Sequence, residues 1–512
     1  MNVALPHLGF FSPLPPEKNG IADYSYILLN EIRKYYGISV YNDDLGSQTP
    51  EGVLLRDHRQ AFREISADSR VLHQIGNNSG HLFVLRALRQ FPGLTTIHDI
   101  GLFYLYELEQ QGMDAMLAEM ARSAPLLAPR FGQHWKRLGI KTKANYALFD
   151  MQRELLARSS GVIVHSLFAK AKLAAIYGEA ATRHVSVIPH FAPPVEMAGQ
   201  QQAREWLGLP QDSFIVTTSG FATNAKRFDW LMQALEQVLA QGIELRWIHA
   251  GEERAEEYNL SAELARFPLL RQRAEITGYV DEATLNAHIS ACDVLVNLRF
   301  PSVGESSGSL ARAFSAGRCC LVTDTASYRE LPREAVVHLP LVSPVSSLVA
   351  ALVALHRDPA LLRALGENAR RFAETTLSLE TVGRQYRDAI EAAAEVPLPR
   401  PGLRPRPPRA TQLPCLTVDG TAQAGREQIA RLLRNQQGQC RILLKFEDMQ
   451  DLVRASREQA PLLGNLLPEH ARLLDTRILS GSAPAREGSL LPPEIAGACG
   501  ILLHLEVAGQ AA

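Results

Sequence analysis

The chain has 512 residues, 46% of them hydrophobic and 21% charged, with a net charge of −1. That length predicts two or three globular domains, and the balanced charge excludes the basic character of a nucleic-acid binder. Six cysteines without a CxxC pair argue against a disulfide framework or a zinc site and predict a reducing compartment.

Met1 to Pro6 lacks the basic flank and long apolar core of a signal peptide, and no apolar run reaches transmembrane length. A cytoplasmic protein is expected, with peripheral contact at the inner face of the plasma membrane left open. Val3 to Leu5 and Leu8 to Phe11 predict the first strand. The loop that follows carries Pro13, Pro15, Pro16 and Gly20 and leads into a helix over Asp23 to Lys34. Strand, glycine-bearing loop and helix open a doubly wound α/β domain. Gly20 either lets backbone approach a ligand or only permits a turn.

Val71 to Ile75 reads as a strand running into Gly76, Asn77, Asn78, Ser79, Gly80 and His81, with a helix over Leu82 to Gln90. Leu94 to Ile97 is a strand ending in His98 and Asp99. Polar groups at successive strand ends fit the crevice of an open α/β sheet, although a single histidine there reads equally well as structural. Between residues 120 and 149, Arg122, Arg130, Lys136, Arg137, Lys141 and Lys143 occur without any Asp or Glu, beside Trp135, Tyr146 and Phe149. Such a segment is either a solvated face or a contact for an anionic membrane or a pyrophosphate-bearing substrate. Strands over Gly161 to Val164 and Val185 to Ile188 end in His165-Ser166 and Pro189-His190-Phe191.

The polar stretch Gly199 to Ala203 predicts an interdomain linker. A second α/β unit begins with a strand over Phe214 to Thr218, a loop over Gly220 to Arg227 and a helix over Phe228 to Ala240. Lys226 and Arg227 at that turn suit a diphosphate. Strands over Leu245 to Ala250 and Ile276 to Tyr279 and a helix over Asp281 to Ser290 come next. The strand Val294 to Leu298 opens into Arg299 to Ser309, before a helix over Leu310 to Ser315. A helix start leaves backbone N–H groups unpaired, so Ser306, Ser307 and Gly308 suit phosphate, whereas Glu305 suits sugar hydroxyls. The plain alternative is a βα loop with serine caps. Leu321 to Thr323 is a further strand, and helices over Val345 to Arg357, Pro359 to Thr376 and Leu379 to Ala394 close this half. Residues 396–409 are rich in proline and arginine and predict an extended linker. Residues 410–512 hold predicted elements at Gln428 to Asn435, Cys440 to Lys445 and Gly500 to Val507, but no motif tied to chemistry.

Taken in order, these motifs resemble the retaining GT-B glycosyltransferases of family 4, in a bacterial branch associated with surface-polysaccharide assembly. The resemblance covers residues 1–395. It implies an α/β fold of two Rossmann-like domains facing a cleft. Residues 1–198 would form the acceptor domain and 204–395 the donor domain, whose last helix is expected to pack back on the first; 410–512 would be an accessory region. It implies transfer of a sugar, with retention, from a nucleotide-diphosphate sugar to a glycan or polyprenyl-linked acceptor. Front-face attack is implied, the diphosphate helping to remove the acceptor proton. By position, His98, Glu305 and Lys226 are the implied catalytic set. Gly20, Lys226, Arg227, Arg299, Ser306, Ser307 and Gly308 would meet the donor and its diphosphate, and Asn77, Asn78, His81 and Asp99 the acceptor. No metal or cofactor is implied, because cationic side chains and a helix N-terminus can bear the leaving group's charge.

Two departures stand out. Aligned back from Gly317, the family's usual pair of glutamates falls on Gly304 and Arg312, so Glu305 is one place off. The arginine usual after the phosphate-loop glycine is Phe221 here, so the second cation is expected from Arg227 or Arg299. Two other functions remain: a nucleotide-sugar epimerase, for which no clear carboxylate pair is visible, and a non-catalytic scaffold that binds a sugar nucleotide.

Overall fold

The computed structural model describes residues 5–65, 69–110, 112–125, 127–138, 148–195, 199–396, 415–419, 425–434, 438–446, 471–480 and 499–507. Short apolar strands that alternate with helices pair in parallel, because a parallel neighbour needs a crossover. The first sheet takes β1 (His7–Phe11), β2 (Gly37–Asn42), β3 (Leu54–Asp57), β4 (Arg70–Ile75), β5 (Leu94–Ile97), β6 (Gly161–Val164) and β7 (Val185–Val187). Their order is β3-β2-β1-β4-β5-β6-β7, parallel throughout. The second sheet takes β8 (Phe214–Ser219), β9 (Leu245–Ala250), β10 (Ala274–Ile276), β11 (Val294–Asn297), β12 (Cys319–Thr323) and β13 (Val337–Leu339). Its order is β10-β9-β8-β11-β12-β13, again parallel. Both sheets are Rossmann-like: the chain starts centrally, runs to one edge and returns to the other. The crevice of each therefore opens where the order reverses, beside β1 and beside β8.

Leu8, Phe10, Val40, Leu72 and Ile163 bury one face of the first sheet against Tyr24, Leu28 and Ile32 of the Gly20–Ile32 helix. Val382, Tyr386 and Ile390 complete that core from the Leu379–Ala394 helix. The end of the second domain is thereby tied to the first sheet. Arg70 meets both oxygens of Glu391, at 2.7 and 2.6 Å, and the Tyr24 and Tyr386 hydroxyls are 2.9 Å apart.

Three local expectations change. The strands β2, β3 and β13 are additional to the predicted elements, and β10 is centred earlier than predicted, with Gly278 turning the chain at φ 72°. The stretch Gly199 to Ala203 is not an open linker, because Gln200–Leu207 is a helix. Its polar residues are anchors. Gln200 donates to the Cys292 carbonyl at 3.0 Å, and Arg204 donates to the Ala291 carbonyl at 2.9 Å and to Asp293 at 2.8 Å.

A second compact unit lies within Leu117–Ile140 and Pro401–Ala512. Its sheet is β14 (Cys415–Asp419), β15 (Gly438–Lys445), β16 (Ala471–Ser480) and β17 (Cys499–Val507), in the order β14-β15-β17-β16. β14 and β15 run parallel across the Gly425–Leu433 helix, whose Ile429 and Leu433 pack on Ile442, Leu444, Leu503 and Leu505. Of the basic segment, Arg122, Arg130, Lys136 and Arg137 sit on the helices Met113–Ser123 and Ala128–Leu138. Lys141, Lys143 and the expected linker residues 397–409 lie outside the described residues. Among those described, no single helix is long and apolar enough to cross a membrane.

Candidate active site

The ends of β4 and β5 face the loop before the first helix, and the contact is close. A β-carbon on Gly76 would stand 2.1 Å from Ile21 Cδ1 and 3.1 Å from Asp99 Oδ2, so the glycine lets the Ile21 side chain reach this position. Asn19 caps the helix by accepting from the Ile21 and Ala22 amides at 2.8 and 3.0 Å, which fixes Gly20 and Tyr24 over the sheet. Gly20, Tyr24, Asn78, His98, Asp99, His165 and His190 thus line one wall of a cleft of about 560 Å³. The opposite wall includes Phe221, Arg254, Ser306 and Gly308.

Not every predicted residue on the first wall reaches the cleft. The Asn77 side chain accepts from the Leu105 amide at 2.9 Å, and its own amide donates to Asp99 at 2.8 Å. His81 is fully buried, its Nδ1 3.0 Å from the Gln74 carbonyl. Both therefore hold the wall rather than face a ligand. Asn78 faces the cleft and accepts from the Gly80 amide at 2.9 Å. Burial, with the Glu305 charge as a lesser cause, raises the Asp99 carboxyl above its ordinary range.

Three imidazoles meet at the centre. His98 Nε2 lies 2.7 Å from the Gln74 side-chain oxygen, and His98 Nδ1 lies 3.1 Å from His165 Nε2. His165 Nδ1 faces the Ile188 carbonyl at 2.9 Å, and His190 Nδ1 faces the Phe191 carbonyl at 2.7 Å. The Tyr24 ring stands 4.7 Å from both His98 and His190. Burial holds His165 down at about 4 and His190 at about 3, and it pushes His98 well below the usual imidazole range, with the neighbouring imidazoles adding to the effect. Among the described residues, no group of three His, Cys, Asp or Glu is arranged to hold a metal ion.

The second wall is built by two zipped loops. Gly220, at φ 74°, donates its amide to the Ala250 carbonyl at 3.0 Å, and the Ala222 amide donates to the Glu252 carbonyl at 3.0 Å. A β-carbon on Gly251 would stand 2.4 Å from the Gly220 oxygen, so glycine is required there too. The pairing brings Arg254 beside Phe221, its guanidinium 4.1 Å above the ring. Lys226 donates to the Ser219 carbonyl at 2.6 Å, behind Gly220. Burial and then the Arg299 charge push its ammonium well below the ordinary lysine range.

The structure does not bring the other predicted cations to the cleft. Arg227 is left-handed at φ 51°, and its guanidinium stacks 4.1 Å over Trp230 and pairs with Asp229. Arg299 donates to its neighbour, the Leu298 carbonyl, at 2.8 Å and lies 3.7 Å from Glu305. Glu305 folds back into its own loop, accepting from the Val303 amide at 2.9 Å, the Gly304 amide at 3.1 Å and the Ser302 hydroxyl at 3.0 Å. Ser307 caps the Gly308–Ser315 helix and donates to Asn297 at 3.1 Å, while Ser306 and Gly308 line the cleft. Arg312 is buried against Glu282, at 2.7 Å.

Polar contacts join the walls. Lys172 donates to the Val303 carbonyl at 3.1 Å. The Glu330 carboxylate accepts from the Leu167 and Phe168 amides, at 2.9 and 2.5 Å, and so caps the Leu167–Tyr177 helix from the other domain. Glu330→Ala is expected to cost about 1 kcal/mol of unfolding free energy, the size of a lost charged cap, in denaturant titrations. Sequence reasoning gave no role to Tyr24, His190 or Arg254. Only the Pro189-His190-Phe191 strand end carried a readable signal.

Residues 212–358 match the family model described as Glycosyl transferases group 1. No curated protein matches the chain in sequence. Sucrose-phosphate synthase from Thermosynechococcus elongatus is similar in structure, with a TM-score of 0.54 at 17% identity over 76% of this chain and 100% of that one. HepE from Anabaena, solved in complex with UDP and glucose, gives 0.53 at 13% identity over 75% and 99%. WaaG, described as a glycosyltransferase involved in lipopolysaccharide biosynthesis, gives 0.51 at 13% over 75% and 99%. The two parallel sheets and the cleft between them are thus the GT-B glycosyltransferase fold, with the group 1 match confined to the domain that carries Phe221, Arg254 and Gly308.

Proposed function

We propose that the chain is a glycosyltransferase that moves a sugar, with retention, from a nucleotide-diphosphate sugar to a glycan or lipid-linked acceptor in surface-polysaccharide synthesis. The observation that carries this reading is the convergence on one cleft of Arg254, the start of the Gly308–Ser315 helix and the polar first wall. A guanidinium and unpaired helix N–H groups suit a diphosphate. Tyr24, His98 and His190 provide a surface for a sugar opposite them. Lys226, behind Gly220, adds a cationic side chain under the same loop. HepE, solved with UDP and glucose, supports a uridine nucleotide as one candidate donor. The departing diphosphate is stabilised by these groups and takes up the acceptor proton on the face where the new bond forms. Attachment to the inner face of the membrane, through residues 122–143, belongs to the same proposal.

A second reading is a scaffold that binds the sugar nucleotide without turning it over. Glu305, folded into its own loop, and Arg312, paired with Glu282, favour it. Release of nucleoside diphosphate from UDP-glucose, GDP-mannose, dTDP-glucose or ADP-glucose, followed by chromatography, separates the two. The transferase slowly releases it from its own donor even without acceptor. Binding without release supports the scaffold and contradicts the transferase.

A further inference from the structure

Each imidazole nitrogen at the cleft is assigned by what faces it. The Ile188 carbonyl only accepts, so His165 Nδ1, 2.9 Å away, carries the proton. A neutral His165 then offers a lone pair at Nε2, and His98 Nδ1 at 3.1 Å must donate to it. His98 Nε2 is left as an acceptor, 2.7 Å from the end of the Gln74 side chain. The Gln74 nitrogen is buried and otherwise unpartnered, and turning the amide so that this nitrogen meets the ring satisfies both groups. A charged chain is disfavoured, since the three rings stand side by side and like charges repel. Both nitrogens of His98 are therefore spent inside the wall, and so are both of His165.

His190 differs. Its Nδ1 carries the ring's one proton and donates it in a hydrogen bond to the Phe191 carbonyl at 2.7 Å. Nε2 keeps a lone pair, has no hydrogen-bond partner among the described residues, and belongs to a ring that lines the cleft. It stands 3.9 Å from where a β-carbon on Gly308 would lie, at the start of the Gly308–Ser315 helix. A lone pair repels a phosphate oxygen and accepts only from an O–H or N–H. In a donor whose diphosphate sits at that helix start, the group within reach is the sugar attached to it.

We propose that His190 touches substrate, its Nε2 accepting a hydrogen bond from a hydroxyl of the donor sugar. His98 is a positioning residue that holds His165 and, with it, the floor of the cleft. The assignment rests on the donor-sugar reading above.

The test is isothermal titration of the full chain with UDP-glucose, GDP-mannose, dTDP-glucose and ADP-glucose, then with the matching nucleoside diphosphate of the one that binds best. His190→Leu is expected to weaken the sugar nucleotide about five- to tenfold, the size of one neutral hydrogen bond, and to leave the diphosphate unchanged. His190→Gln, which places an oxygen near the position of Nε2, recovers part of the loss. Unchanged sugar-nucleotide binding by His190→Leu overturns the assignment, as does an equal loss for both ligands, which marks a structural role. If the wild-type chain binds none of the four, the donor reading fails and the assignment with it. Wild-type binding with an indifferent His190→Leu sinks the assignment alone.

Discussion

Arg254→Gln is expected to weaken nucleoside-diphosphate binding about ten- to a hundredfold, the value of a charge-assisted hydrogen bond. Arg254 lines the cleft, and its acid neighbour among the described residues, Glu257, is 3.7 Å away on the surface, with both side chains over two-fifths exposed, a weak competitor for the charge. Phe221 supports the guanidinium from below at 4.1 Å, and the zipped loops at Gly220 and Gly251 hold ring and cation together. The position where the family resemblance leads one to expect an arginine carries instead the platform on which an arginine from the next loop rests. Nucleoside monophosphate binding should fall less, because fewer anionic oxygens reach the guanidinium. Phe221→Leu should lose about 0.5 to 1 kcal/mol of the same affinity, the size of an exposed cation–π contact. Titration calorimetry of the two variants checks both figures. An Arg254→Gln protein that binds diphosphate like the wild type would remove Arg254 from the site.

Stability is expected to fall steeply as the pH drops from about 6.5 towards 4. His73, His81 and His165 are held at about 4 in the folded chain, and His190 and His249 at about 3, chiefly by burial. His98 is pushed well down by burial and by His165, His190 and His81. In the unfolded chain each imidazole titrates near its ordinary 6.5. The unfolded state therefore binds more protons through this window, and stability declines as pH falls. One imidazole kept neutral at pH 5 costs about 2 kcal/mol relative to pH 7, so the expected loss exceeds that figure. Asp23, Asp99 and Asp150 act in the opposite direction, since burial raises their carboxyls and the folded state takes up protons there first. Their window opens above their ordinary 3.8, where they offset part of the loss from the more numerous imidazoles. Urea titrations at pH 7 and pH 5 measure the difference, and equal midpoints would contradict it.

The alternation of short apolar runs with helical periods was enough to read the central strands of both sheets, β1, β4, β5, β8, β9 and β11 among them. The predicted Leu82 to Gln90, Gly161 to Val164, Phe228 to Ala240, Leu245 to Ala250 and Leu379 to Ala394 agree with the structure at both ends. β3 escaped because Leu54–Asp57 is a partly exposed edge strand without the apolar run that marks a buried one. The site was legible only where it lies at a strand end, as with His98, Asp99, Ser306 and Gly308. Arg254 and Phe221 meet because β8 and β9 pair in parallel, a relation no local pattern carries. Arg227 was misdirected because a left-handed residue turns its side chain towards Trp230. Glu305 was read from its residue type, whereas the tight turn at Gly304, φ 108°, folds the carboxylate back onto its own amides.

The central claim, that this cleft holds a nucleotide-diphosphate sugar, is tested most directly by the melting temperature of the full chain in the presence of UDP-, GDP-, dTDP- and ADP-sugars. A ligand at a hundredfold excess over its Kd adds about 2.7 kcal/mol to the native state, an easily measured rise. At least one of the four is predicted to raise the melting temperature by several degrees, its nucleoside monophosphate much less. No shift with any of them at millimolar concentration would contradict the account.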